Sequence, residues 1–172
     1  MGKIDDEILL KAELSDATIK RLHEIGYFEA PASKGHHLAK PGGLFEHSKN
    51  VAENLRKMHV FASDAAAYRV GLLHDVVKCY CYKRVGDVYE YVQPPYPGHG
   101  VASVMIAFEI GVALSPAEIA AITWHMGVFG VDGRQLKEYD AACRRFPVEV
   151  ILTHAADHLA AKMEEAAADD CC

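Results

Sequence analysis

A chain of 172 residues, 51% hydrophobic and 24% charged, is one domain's worth of ordinary globular sequence and excludes a disordered or collagen-like polymer. Folded, a chain of this length buries roughly 70% of the surface its unfolded form exposes. The formal charge of −6 argues against a sequence-independent grip on duplex nucleic acid, which needs a dense basic surface.

Ten histidines stand against one tryptophan, and that imbalance asks for an explanation. The five cysteines, Cys79, Cys81, Cys143, Cys171 and Cys172, are odd in number and form no C-x-x-C pair. Neither a disulfide framework nor a zinc ribbon follows from them. The N-terminal run Met-Gly-Lys-Ile-Asp-Asp-Glu is charged where a signal peptide would be apolar. The longest apolar stretch, Val101 to Leu114, is too short to span a bilayer and carries Glu109. A reduced, cytoplasmic protein with no membrane partner is the expectation.

In chain order, Ser15 caps a short helix that runs to about Ile25 and stops at Gly26. A loop rich in Gly and Pro covers Ala30 to Gly43. From Leu44 to about Phe61 the apolar residues Leu44, Val51, Leu55 and Met58 recur at helical spacing, with Glu53, Arg56 and Lys57 turned outward. Ser63 or Asp64 starts another helix through Ala67, Val70, Leu73 and Val77. Aromatic and Val-rich runs at 79–84 and 88–92, separated by Val85-Gly-Asp87, predict a β-hairpin over about residues 79–92, and Pro94, Pro95 and Pro97 end it. Gly98 to Ala113 reads as a buried helix. Ser115-Pro-Ala-Glu118 combines a cap, a first-turn Pro and a Glu at the third position, a strong start for a helix to His125. Gly127 to Phe146 carries little readable pattern. Pro147 begins the last long helix, which reaches about Glu165, and 166–172 reads as a frayed tail. The fold class is all-α with one inserted hairpin, in a single domain over 1–172 with 1–33 as an N-terminal helical extension.

Several metal-ligand residue types fall on otherwise apolar faces. His47 follows Leu44 by three and precedes Val51 by four. His74 follows Val70 by four and precedes Val77 by three, with Asp75 directly after it. His99 opens the helix after the proline loop, and His125 closes the helix carrying Ala121 and Ile122. Asp157 lies seven residues after Val150 and four before Ala161. A lone inward histidine is more often a core residue bonded to a backbone carbonyl. An unpaired buried carboxylate is costly and needs a partner or a cation. Four histidines and two carboxylates on successive inner faces would compete for few partners, whereas one or two divalent cations satisfy them all.

The order His47, His74-Asp75, Asp157 resembles the H…HD…D signature of the HD-domain metal-dependent phosphohydrolases, an all-α superfamily. Gly-Gly-Leu-Phe-Glu-His-Ser (42–48) is similar to the opening of that family's first ligand helix. Gly-Leu-Leu-His-Asp-Val-Val-Lys (71–78) is similar to its central helix, and Ala-Ala-Asp-His-Leu-Ala-Ala-Lys (155–162) to its closing one. The likeness covers a metal-binding core over about 34–165. Pro-Gly-His-Gly (97–100) and Trp-His-Met-Gly (124–127) resemble the two further histidines of the binuclear subtype, commonly phosphodiesterases. Residues 35–47 resemble HD domains of the 3′–5′ exoribonuclease and relaxase-associated type.

The resemblance implies that His47, His74 and Asp157 hold a first metal, that His99 and His125 hold a second, and that Asp75 bridges them. Two divalent cations would then hold a hydroxide between them for in-line attack on a phosphoester. The nitrogen-rich donor set suits Mn, Fe, Co, Ni or Zn, with Mg the poorer fit. Lys78, one turn after His74, would stabilise a phosphate oxygen, its plainer reading being an exposed lysine at a helix end. His36, His37 and Lys40 lie in the loop where a family member would contact substrate, and they read equally well as a solvated loop. The implied activity is a phosphodiesterase on a nucleotide, cyclic nucleotide or short single-stranded oligonucleotide. The alternatives are a mononuclear 5′-nucleotidase-type phosphomonoesterase and a non-catalytic metal-stabilised nucleotide-binding module.

Among the rest, His154 could support Asp157 from one turn away, but it and His158 read first as packing or surface residues, and His23 and His59 as surface residues. Cys79 and Cys81 are expected on one strand face of the hairpin. Tyr80, Tyr82, Tyr89, Tyr91 and Tyr96 could stack a base or simply cover the core. Arg144 and Arg145 read as a solvated face.

Overall fold

The computed structural model describes residues 3–169. Helix α1 (Lys3–Lys11) and α2 (Asp16–Glu24) precede a long loop, and α3 (Gly43–Lys57) and α4 (Asp64–Leu73) form the first half of the core. A 3-10 turn (Val76–Tyr80) leads into the antiparallel hairpin β1 (Tyr82–Val85) and β2 (Val88–Tyr91). Then come α5 (His99–Glu109), α6 (Pro116–Trp124), a 3-10 turn (Gly127–Gly130), α7 (Leu136–Arg145) and the long α8 (Pro147–Asp169). α3 packs on α4 and α8, α6 packs on α8, and α5 on α6, so all five ligand-bearing segments meet around one core. Leu44, Val51, Leu55, Leu72, Leu73, Ile106 and Ile122 are wholly buried there.

The all-α class with one small hairpin holds. Ser15 accepts from Thr18 N at the start of α2, and Gly26 follows its end at φ 76. Ser115 and Glu118 form a full capping box on α6. Each signal works because both partners lie within one turn.

The structure departs from expectation in five places. α3 ends at Lys57 rather than near Phe61. α4 ends at Leu73, so His74 is its C-cap and Asp75 leaves the helical region at φ −116, ψ 16. The strands occupy only Tyr82–Val85 and Val88–Tyr91; Cys79 sits in the 3-10 turn and Cys81 just after it, its thiol on the Val77 carbonyl. Gly127 to Phe146, patternless in sequence, holds a 3-10 turn and α7, on which no residue is buried. α8 continues to Asp169, so Ala166 to Asp169 are helical rather than frayed, while the last three residues of that stretch lie outside the described residues. Among the described residues no helix is long and apolar enough to cross a membrane.

Candidate metal centre

The early end of α4 builds the first part of the site. A helix end leaves carbonyls without intrahelical partners. Here the His74 amide takes the Val70 carbonyl at 2.9 Å and its ring Nδ1 takes the Gly71 carbonyl at 2.8 Å. The Tyr27 hydroxyl donates to the Leu72 carbonyl. Because a carbonyl only accepts, Nδ1 of His74 carries the hydrogen, and Nε2 presents its lone pair to the core. α6 repeats the device. It stops at Trp124, and His125 Nδ1 donates to the Ile122 carbonyl at 2.7 Å. The His125 carbonyl in turn accepts from His154 Nδ1 at 2.8 Å.

Six side chains converge. His47, His74 and His125 are fully buried, Asp75 is 2% exposed, and Asp157 and His99 are 19% and 33% exposed. His47 Nε2 lies 3.0 Å from Asp157 Oδ1, and His74 Nε2 lies 3.7 Å from the same oxygen. Asp75 uses its two oxygens separately. Oδ1 faces His99 Nε2 at 2.5 Å and His125 Nε2 at 3.3 Å, whereas Oδ2 faces Lys78 Nζ at 2.6 Å and His74 Nε2 at 3.3 Å. Donor atoms of His47, His74 and Asp157 lie within 4.8 Å of one another, as do those of His74, Asp75 and His125. His99 and Asp157 form the open edge.

His99 reaches the cluster because α5 presses closely on α6. A Cβ at Gly100 would stand 2.1 Å from the Thr123 carbonyl oxygen, so no larger residue permits this approach. The His99 and His125 rings are 5.4 Å apart as a result.

The donor set fits divalent cations on a specific observation. The Nε2 atoms of His74 and His125 are buried and make no hydrogen bond, yet both face carboxylate oxygens. A lone pair aimed at a carboxylate is repelled unless a proton or a metal ion lies between them. Without a cation, protons supply that charge. Burial opposes the His74 imidazolium, but Asp75 and Asp157 outweigh it and lift its pKa to about 10. Burial also disfavours charge on His47, and Asp157 and Glu164 again raise it. At Asp75, burial is outweighed by Lys78, His74 and His99, and the carboxyl is held well below its usual range; hydrogen bonds from His47 and His74 do the same for Asp157. At His125 burial outweighs the pull of Asp75, and the imidazole is lowered.

A stability profile follows. His74 unfolded titrates near 6.5 and folded near 10, so its contribution is full below 6.5 and drains away as pH rises through 10. Burial also pushes up the thiols of Cys79 and Cys81, and these add to the loss above about 8.5. Chelator-treated protein is therefore expected to melt at steadily lower temperature from pH 6.5 to 8.5. A flat profile over that interval contradicts the charge arrangement.

The other candidate residues divide. Lys78 sits in the 3-10 turn rather than a helix, and the tight turn brings its ammonium onto Asp75. His37 packs its ring 5.0 Å from that of His47, and its Nε2 is buried without a partner. His36 is exposed beside the hairpin residues Val88, Tyr89 and Glu90, and Lys40 is exposed and paired with Glu46 at 2.8 Å. Neither is drawn into the cluster. His154 stands behind His125 and stacks with exposed His158; His23 and His59 are exposed. One residue was missed. Glu164, seven after Asp157 and so on the same helix face, lies 3.0 Å from His47 Nδ1; that spacing was the available signal.

A model of the HD-domain family matches residues 44–162, well over half of the chain. The chain belongs to the HD-domain family. HD-domain proteins are generally metal-dependent phosphohydrolases that bind divalent cations. The matched segment of this HD domain runs from the first turn of α3 into α8 and so contains His47 through Asp157. Comparisons with curated proteins and with solved structures gave no significant match.

Proposed function

We propose that this HD domain is a two-metal phosphodiesterase acting on a nucleotide, cyclic nucleotide or short oligonucleotide. The observation that carries the reading is the split use of Asp75, with one oxygen towards His99 and His125 and the other towards His74 and Lys78. A buried carboxylate so placed suits a bridge between two cations. His47, His74 and Asp157 would hold one ion and His99 and His125 the other. Divalent cations held there would acidify a bound water towards about pH 7 and neutralise charge on the phosphoryl oxygens.

The chain's own residues supply the rest. The open edge at His99 and Asp157 admits the substrate. His37, packed beside His47 with its Nε2 unpartnered, would be the loop residue that contacts the phosphate or its ester oxygens. Lys78 stays charged because Asp75 outweighs the cost of its burial, and its fixed ammonium stabilises negative charge developing on the phosphoryl group. Lys78→Ala is expected to keep its metal content and lose roughly 10²–10³-fold in kcat, the usual worth of one such donor. An unchanged rate with saturating diester removes Lys78 from the site.

The deciding measurement is metal content by mass spectrometry on protein purified without chelator, beside His99→Ala and His125→Ala. Two ions per chain, falling towards one in either variant, support the binuclear reading. One ion indifferent to both substitutions favours a phosphomonoesterase. Two ions with tight nucleotide binding and no turnover of any phosphoester favour a binding module.

A further inference from the structure

The three fully buried imidazoles of the centre are not held alike. His74 and His125 each donate Nδ1–H to a neutral carbonyl three residues back. His47 lies mid-helix in the first half of α3, where the backbone carbonyls are already taken by the helix, so its Nδ1 needs another acceptor. Glu164 provides it from α8, with its two oxygens at 3.0 and 3.2 Å. The carboxylate is itself held, since Asn50 Nδ2 donates to Glu164 Oε1 at 2.7 Å. Its side chain is 7% exposed, so solvent screens it little. Both Glu164 and Asn50 lie one helical turn or two from a proposed ligand, Asn50 three after His47 and Glu164 seven after Asp157.

We propose that Glu164 is a positioning residue, held by Asn50, that locks His47 in the Nδ1–H tautomer and strengthens its Nε2 as a ligand for the ion shared with His74 and Asp157. A carboxylate behind an imidazole orients the ring and raises its basicity more than a carbonyl can. The two metal positions are therefore unequal, and the one containing His47 is the tighter. The segment of α8 beyond Asp157 thereby becomes part of the metal centre. Glu164 lies outside the stretch matched by the family model, which ends at Lys162. The inference rests on the metal-binding reading above.

The test is competition for Zn²⁺ against a chromophoric chelator at fixed pH, with full-length wild type, Glu164→Ala, Glu164→Gln and Asn50→Ala, each paired with a thermal melt. Glu164→Ala is expected to weaken the tighter site about 10–100-fold and to leave the weaker site unchanged. Glu164→Gln can still bond to both Asn50 and His47, so a purely structural link between α8 and α3 survives it. Loss of Zn²⁺ affinity in Glu164→Gln at an unchanged melting temperature therefore supports the positioning role, and a smaller loss in Asn50→Ala agrees with it. Wild-type affinity in Glu164→Gln overturns it, as does equal weakening of both sites together with a lowered melting temperature. Absence of Zn²⁺ binding to wild type overturns the metal-centre reading itself, a different outcome from a wild type that binds and variants that match it.

Discussion

Asp75→Asn is expected to reduce phosphodiester hydrolysis by on the order of 10³-fold or more and to lower the metal content of both positions together. The amide keeps the shape of the carboxylate and loses its charge, which is the property the site uses. Four groups are arranged around that charge: Lys78, His74, His99 and His125. The effect on the metal-free protein separates charge from packing. Removing one partner of a buried ion pair costs about 3–5 kcal/mol when the other charge stays buried. Lys78 keeps 14% of its side chain at the surface and can swing outward, so the loss settles near 3 kcal/mol. Chelator-treated Asp75→Asn should also lose much of its stability change between pH 6.5 and 8.5, because His74 no longer faces two carboxylates. Retained activity with two bound ions defeats the bridging role; an unaltered denaturation midpoint defeats the charge argument.

The legible parts of this chain are those whose cause is local. α2 and α6 could be placed from Ser15 and from Ser115-Pro-Ala-Glu118 because each cap closes within three residues. The residue types of the metal centre were legible for a related reason, since His47 and Asp157 interrupt apolar stripes that periodicity reveals. The end of α4 was not. Apolar spacing runs on through Val77, but the carbonyl of Leu72 is taken by the Tyr27 hydroxyl, 45 residues away, and no local pattern announces that bond. α7 escaped notice because its inner face, Tyr139, Ala142 and Cys143, is short and only half-buried. Glu164 reads as one more charge in Met-Glu-Glu, and its partner His47 lies 117 residues earlier. Lys40 is a different case. Its nearness in sequence to His47 suggested the pocket, while its ammonium is satisfied at the surface by Glu46.

Gly71→Ala tests how the two central helices are held at working distance, and it is expected to damage both stability and chemistry. Gly71 lies where α4 crosses α3. A Cβ there would stand 2.3 Å from Ala52 Cα, 2.4 Å from Ala52 N and 2.6 Å from Ala52 Cβ. Two of those three atoms are helix backbone, so no rotamer change relieves the clash and the helices must part by roughly 1 Å. Alanine brings a gain of its own, up to about 1 kcal/mol of helix propensity over glycine. Overpacking costs about 1–3 kcal/mol and sits at the upper end when backbone meets backbone, so the net loss is about 2 kcal/mol. The chemical effect is larger. His47 lies five residues before Ala52 on α3, and His74 three after Gly71 at the end of α4, so parting the helices parts two ligands of one ion. A displacement of 1 Å in a preorganised site costs about 10²-fold in rate, and Zn²⁺ affinity should fall with it. Gly35→Ala is the control, since nothing lies within 4 Å of that position, and it should leave denaturation midpoint, affinity and rate unchanged. A Gly71→Ala protein with wild-type midpoint and wild-type Zn²⁺ affinity would mean that α3 and α4 do not need this contact to bring His47 and His74 together.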